Sequence, residues 1–205
     1  MITELTRMWL TRSTKPFLFK NEYDQELPFS DCDGLGLYVH IPFCRSICSF
    51  CPYCKTLYSE EACSRYIDAL IREIHLAGSQ IPGKKTVTSL YFGGGTPALA
   101  ADRIKEIIDA IQEHFIITQG IGIELHPENV TPRTLHILKE AGITKLSIGI
   151  QSFQEKFQKL LGRTGADMDP LKAALSQVPF ETVSMDFIFA LPSQTFGDLK
   201  ADVDA

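Results

Sequence analysis

The stretch from Tyr38 to Cys54, YVHIPFCRSICSFCPYC, holds four of the chain's six cysteines. Three of them, Cys44, Cys48 and Cys51, make a C-x₃-C-x₂-C pattern, with Phe50 directly before the third. Thiolates are the usual ligands of iron–sulfur clusters, and a [4Fe–4S] cube normally takes four. Three on one short loop would leave one iron open to another molecule. Two other readings compete. A structural zinc site also uses clustered cysteines, usually as two C-x₂-C knuckles a dozen or more residues apart, whereas these four share one loop. A disulfide framework needs an oxidising compartment, and nothing in the sequence points to export.

Working outward, LGLYVHI (35–41) has the apolar, β-branched character of a short buried strand, so the cysteine loop starts at a strand's carboxyl end. Before it, residues 1–33 have no sustained period and read as an N-terminal extension with little regular structure; Cys32, in SDCDG, reads as an inert thiol in a turn. After it, Ser59 suits an N-cap with Glu60 and Glu61 in the first turn. Cys63, Tyr66, Ile67, Leu70, Ile71, Ile74 and Ala77 recur at helical spacing, and Gly78 is placed to close that helix. Cys63 lies on the apolar stripe and reads as core.

The alternation then repeats. TVTSLYF is a second strand running into GGGTP (93–97), and Ile104, Ile107, Ile108, Ile111 and Phe115 mark a second amphipathic helix. GIGIEL (120–125) is a third strand bearing Glu124; Thr131-Pro132 opens a helix and Gly142 follows its end. KLSIGIQ delivers Gln151. Helical sequence resumes near Gln154 and breaks around GRTGADMDP. TVSMDFIFAL gives a fifth strand carrying Asp186, followed by a last helix after ALPSQT. Strand–loop–helix repeated in this way predicts parallel strands with helical crossovers, an α/β class chain. The cysteine loop, GGGTP, Glu124, Gln151 and Asp186 all fall at or just past the carboxyl ends of strands. In a barrel of this kind that face carries the active site. Five special positions at one topological place are poorly explained by core packing.

With these motifs in view, the chain resembles the radical S-adenosylmethionine superfamily, and within it the family of oxygen-independent coproporphyrinogen III oxidases, haem chaperones and anaerobic haem-degrading methyltransferases. The resemblance runs from about Gly34 to Thr195 and rests on YVHIPFC, the cysteine loop, YFGGGTP, the Glu-x-x-Pro of ELHP, SIGIQSF and LPSQT. It implies a partial (βα)₆ TIM-like barrel over residues 34–205 with five parallel strands, lacking the sixth strand and C-terminal domain of the family, and so a fragment. It implies Cys44, Cys48 and Cys51 as ligands of a [4Fe–4S] cluster whose open iron is chelated by S-adenosylmethionine. Tyr38 and Phe50 would lie against that molecule, and Gly94, Gly95 and Thr96 would receive its methionine amino group. A residue without Cβ lets backbone approach a ligand closely. Glu124, Gln151, Arg163 and Asp186 match further contact positions. Carboxylates and an amide suit hydroxyls and amines, while an arginine can grip a carboxylate with its fork.

The expected activity is radical oxidative decarboxylation of porphyrinogen propionates in haem biosynthesis. The alternatives are a haem-chaperone-like binding role or radical methyl transfer to haem. Expected partners are a tetrapyrrole and an electron donor such as flavodoxin or ferredoxin. Departures from the oxidase pattern are Arg45 in place of a histidine, Tyr53 in place of a cysteine, and Cys54, one residue further on, read as a non-ligand. Arg163 is followed by Thr-Gly where chaperones carry histidine, and Ala190 stands where the family usually has glycine.

Composition adds limits. Of 205 residues, 44% are hydrophobic and 22% charged, ordinary for a globular chain with one sizeable core. A net charge of −5 argues against a nucleic-acid surface, which favours basic patches. The N-terminus lacks a signal-peptide core and no apolar run reaches membrane-span length, so the expected location is cytoplasmic, where free thiols and metal sites persist.

Overall fold

The computed structural model describes residues 32–81, 83–163 and 167–205. The extension expected over 1–33 lies almost wholly outside the described residues, as do three residues of the GRTGADMDP break. The first strand, β1, spans Gly34–Ile41. Two-residue strands follow, β2 (Phe43–Cys44) and β3 (Thr56–Leu57), then α1 (Glu60–Ser79). Next come β4 (Lys85–Gly94), a 3₁₀ turn (Pro97–Ala100), α2 (Ala101–His114) and a short β5 (Phe115–Ile117). The chain continues through β6 (Ile121–Leu125), a 3₁₀ turn (Pro127–Asn129), α3 (Pro132–Glu140) and β7 (Ile143–Gln151). It closes with α4 (Glu155–Leu161), α5 (Met168–Gln177), β8 (Thr182–Phe187) and α6 (Phe196–Asp204).

The main sheet runs β1-β4-β6-β7-β8, with β5 paired to β4, and every pairing is parallel. Each strand of that path adds beside its predecessor with no reversal of order. A doubly wound sheet turns back on itself; this progression is a barrel wall in the making.

The period of two decides which side chains face which way. Leu35, Val39 and Ile41 of β1, Leu90 and Phe92 of β4, Ile123 and Leu125 of β6, and Leu146, Ile148 and Ile150 of β7 are buried in the core. They meet Ile67 of α1, Ile104, Ile107 and Ile111 of α2, and Leu135 and Leu138 of α3. The intervening residues Tyr38, His40, Tyr91, Glu124, Ser147 and Asp186 occupy the opposite face of the same strands. Hydrophobic burial against the helices therefore aims the polar set at the barrel interior.

The expected caps are present: the Ser59 hydroxyl accepts from the Ala62 amide and the Thr131 hydroxyl from the Thr134 amide. Other elements differ from the sequence reading. Gly78 sits inside α1, which continues to Ser79. Phe115 leaves the helix and begins β5, at φ −130° and ψ 157°. The fifth long strand stops at Phe187, well before Leu191, and Ala190 has φ 60°. The residues after Phe187 bend away although they are apolar.

Candidate functional site

The cysteine loop is fastened at both ends. Backbone bonds run from Thr56 N to Pro42 O and from Tyr58 N to Cys44 O, both 2.8 Å, closing segment 45–55 through the β2–β3 pair. On its other side the glycine turn docks onto β1: Gly95 N donates to Ile41 O at 2.9 Å and Thr96 N to Phe43 O at 2.7 Å. A Cβ on Gly95 would come within 2.6 Å of Phe43 O, and one on Gly94, where φ is 126°, within 2.8 Å of Ile41 O. These glycines are needed first for the approach of β4's end to β1.

A cleft of about 410 Å³ opens at this carboxyl end. Cys44, Cys48, Phe50, Cys51, Gly94, Gly95, Thr96, Glu124, Gln151, Arg163 and Asp186 all border it. Tyr38 and Cys54 do not. Tyr38 stacks on Tyr91 at 6.5 Å between ring centroids, beside the cleft, and its hydroxyl donates to His40 Nδ1 at 3.4 Å. Exposed Cys54 offers its carbonyl to His40 Nε2 at 3.0 Å, which pins the end of the loop to β1.

All described cysteines are free. Their arrangement bears on the zinc reading. Among the described residues, the three-ligand group with donor atoms all within 4.8 Å of one another is His75, Glu113 and His114. The cleft thiols are not gathered that closely, and a cube carries its thiolates on separate irons. Burial pushes the Cys44 thiol up, partly offset by a 3.9 Å contact from the Thr96 hydroxyl. The Lys55 ammonium is held against the Cys51 carbonyl.

The rest of the cleft carries charges of both signs, with Glu124 and Asp186 as its carboxylates. Burial raises the Glu124 carboxyl above its ordinary range, as does the Asp186 charge; the Gly94 amide, donating to Glu124 Oε2 at 3.2 Å, works against both. Asp186 accepts from the Ser147 hydroxyl at 2.6 Å. Arg163 lies over the Phe50 ring at 5.7 Å, and one of its terminal nitrogens donates to the carbonyl of Gly149, the register partner of Asp186. Its Nε is buried with no hydrogen-bond partner. An unmet buried guanidinium donor is costly and suits an anionic ligand. Gln151, at the strand end, is held at φ 71°, a conformation non-glycine residues rarely keep without cause.

Three thiols for separate irons, paired carboxylates and an arginine with a spare donor fit a cube plus a molecule carrying an amine, a sulfonium and a carboxylate. Sequence reasoning missed two residues here. His40 positions the loop, and only its alternation within β1 could have placed it on this face. His126 borders the cleft and accepts from the Glu128 amide at 3.3 Å; burial and then Arg163 lower its pKa to about 4. Its only signal was its place inside ELHP.

Comparison with known proteins agrees with this geometry. The Radical SAM superfamily profile matches residues 38–205. A Lactococcus lactis protein named heme chaperone HemW is 31% identical over 172 residues, covering 82% of this chain and 44% of its own length. An Escherichia coli O157:H7 anaerobilin synthase is 36% identical over 171 residues, 79% of this chain and 38% of its own. The solved coproporphyrinogen III oxidase HemN of Escherichia coli, described as a radical SAM enzyme, superposes with a TM-score of 0.76 at 31% identity, covering 84% of this chain and 41% of that one. The chain thus spans less than half the length of these relatives. With most of its length matched in sequence and its sheet superposed on a solved member, the chain belongs to the radical SAM superfamily, whose cofactors are a [4Fe–4S] cluster and S-adenosylmethionine.

Proposed function

We propose that Cys44, Cys48 and Cys51 hold the cluster and that the cleft beside them binds S-adenosylmethionine for radical chemistry on a tetrapyrrole, by preference oxidative decarboxylation of porphyrinogen propionates. The single observation that carries the reading is a cleft bordered by three spaced thiols with the fourth, Cys54, outside it. When bound, the cluster supplies the electron that cleaves the sulfonium and releases a 5′-deoxyadenosyl radical. The chain's residues bind and orient. Arg163 offers its fork to the carboxylate, Glu124, Asp186 and Gln151 meet amine and hydroxyl groups, Gly94, Gly95 and Thr96 border the methionine end, and Phe50 packs across it. Tyr38 shapes the adjoining wall through Tyr91. Residues 34–205 form one barrel unit after a 1–33 extension, and a flavodoxin or ferredoxin supplies electrons.

A second reading, haem handling without oxidase activity or radical methyl transfer to haem, is supported by the departures at Arg45 and Tyr53. Both border the cleft, and Tyr53 is 68% exposed. Anaerobic reconstitution is expected to load about four irons per chain. Cys44→Ser, Cys48→Ser and Cys51→Ser should each abolish loading. Cys54→Ala should keep both the iron and the spectroscopic response to S-adenosylmethionine. Stoichiometric zinc without iron-dependent absorbance would defeat the cluster assignment. Incubation of the full-length protein with coproporphyrinogen, or with haem, followed by product analysis, separates the two substrate readings.

A further inference from the structure

Away from the cleft, α1 and α2 bring two histidines together. His75 Nδ1 and His114 Nε2 lie 3.0 Å apart, with the rings edge-on at 5.3 Å between centroids. Glu113 Oε2 is 3.7 Å from the same His75 nitrogen, and the three donor atoms all fall within 4.8 Å of one another. A tetrahedral ion bound at about 2.0–2.1 Å spaces its ligand atoms about 3.3 Å apart, so the separations of 3.0 and 3.7 Å bracket that edge. Two neutral imidazoles and a carboxylate are the donor set of zinc-class ions, not of magnesium or calcium.

The sequence makes room for this arrangement. Gly78 stands one turn beyond His75, and a Cβ there would lie 2.2 Å from Cγ of the His114 ring. Its lack of a side chain lets the ring lie against α1, a role the cap reading did not foresee. His114 is the last residue of α2 and His75 lies in the closing turns of α1, so both helices present their C-terminal ends. The partial negative charge of two helix ends favours a cation. One neighbour opposes it: the Lys84 ammonium donates to the Gln112 carbonyl at 2.8 Å. That contact engages a backbone group of α2 and leaves the imidazoles and the carboxylate unoccupied by lysine.

We propose that His75, Glu113 and His114 form a binding site for a zinc-class divalent cation that clamps α1 to α2. The site lies at the far end of the strands from the cleft: Phe115, directly after His114, pairs with Lys85 at the start of β4, while the cleft borders Gly94 at its finish. Glu113 is 65% exposed, so the fourth position lies open to water while the three protein ligands hold the two helices together.

The test uses the full chain, anaerobic and already loaded with iron so that the cleft thiols are occupied, dialysed against zinc. Zinc and iron per chain are measured for the parent, His75→Ala and Glu113→Ala, whose side chains are 42% and 65% exposed and tolerate truncation. The parent is expected to bind about one more zinc than either variant, at equal iron, and saturating zinc to raise its unfolding midpoint by about 5 °C while leaving theirs unchanged. Magnesium should not substitute. Equal zinc in parent and variants would assign the metal to thiols and overturn the proposal. So would no uptake and no shift, which would leave only a hydrogen bond between two imidazoles.

Discussion

Arg163 concentrates the chemistry of the cleft in one side chain. Its guanidinium is committed on one edge to the Gly149 carbonyl and on its face to Phe50, yet its Nε has no partner. Lysine at this position keeps the charge and loses the fork. Arg163→Lys is therefore expected to weaken S-adenosylmethionine binding by about tenfold or more at unchanged iron content, as one lost charge-assisted hydrogen bond implies. Equal affinity by calorimetry would remove Arg163 from the site. Gly94→Val is a poor probe by comparison, because its side chain would strike Ile41 and His40 before any ligand. His126 gives a second test. With its pKa near 4 against an ordinary 6.5, the folded state holds it neutral while the unfolded chain takes a proton. Its contribution is complete above about pH 6.5 and is lost as pH falls toward 4. Glu124, shifted up, runs in the opposite sense over its own range, so the comparison is made between parent and His126→Gln. The variant is expected to lose less stability between pH 6.5 and pH 4 in denaturant titrations.

At the scale of elements, a buried carboxylate of α6 holds the segment that follows β7. Asp202 is 1% exposed and accepts from the Ser152 hydroxyl at 2.8 Å and the Phe153 amide at 2.9 Å. Removing it strands a buried hydroxyl and a half-buried amide, so Asp202→Ala is expected to cost about 2–3 kcal/mol and to raise amide exchange in α6 first. Uniform exchange across the chain would argue against that hinge. Most elements were legible in the sequence because burial on one face enforces a period: 2 in β1, β4, β6 and β7, and 3.6 in α1 and α2. The misses have physical causes. Phe115 is apolar and at helical spacing, so its period could not distinguish the last helical residue from the first of β5. The two-residue β2 and β3 are too short to carry any period. IFAL reads as strand continuation, but Ala190 takes a left-handed φ that no alternation announces. Within the site, the motif residues were found and mostly lie together; His126 and His40 were not, since a lone histidine in a strand or turn declares no chemistry until its neighbours are in place.

For the whole molecule, the sheet path leaves β8 paired on one side only among the described residues. Its residues Thr182, Val183 and Ser184 are exposed, and Phe189 and Phe196 nearby are 73% and 82% exposed. An exposed parallel edge beside large apolar side chains invites pairing with another chain. The 205-residue chain alone is expected to self-associate with rising concentration in light scattering. Val183→Lys, which places a charge on that edge, should suppress this. A monodisperse monomer at high concentration would argue against β8 as a pairing edge.

The closure of segment 45–55 by β2 and β3 has a consequence for assembly. A free peptide with the same cysteine spacing must lose loop entropy each time a thiol is captured. Here the backbone has met most of that cost on folding, so after the first thiol engages, the other two are delivered at high effective concentration, as in a chelate. Iron incorporation should then proceed on a folded scaffold, and severing the tie between Cys44 and Tyr58 should slow capture of the metal more than it weakens the finished centre.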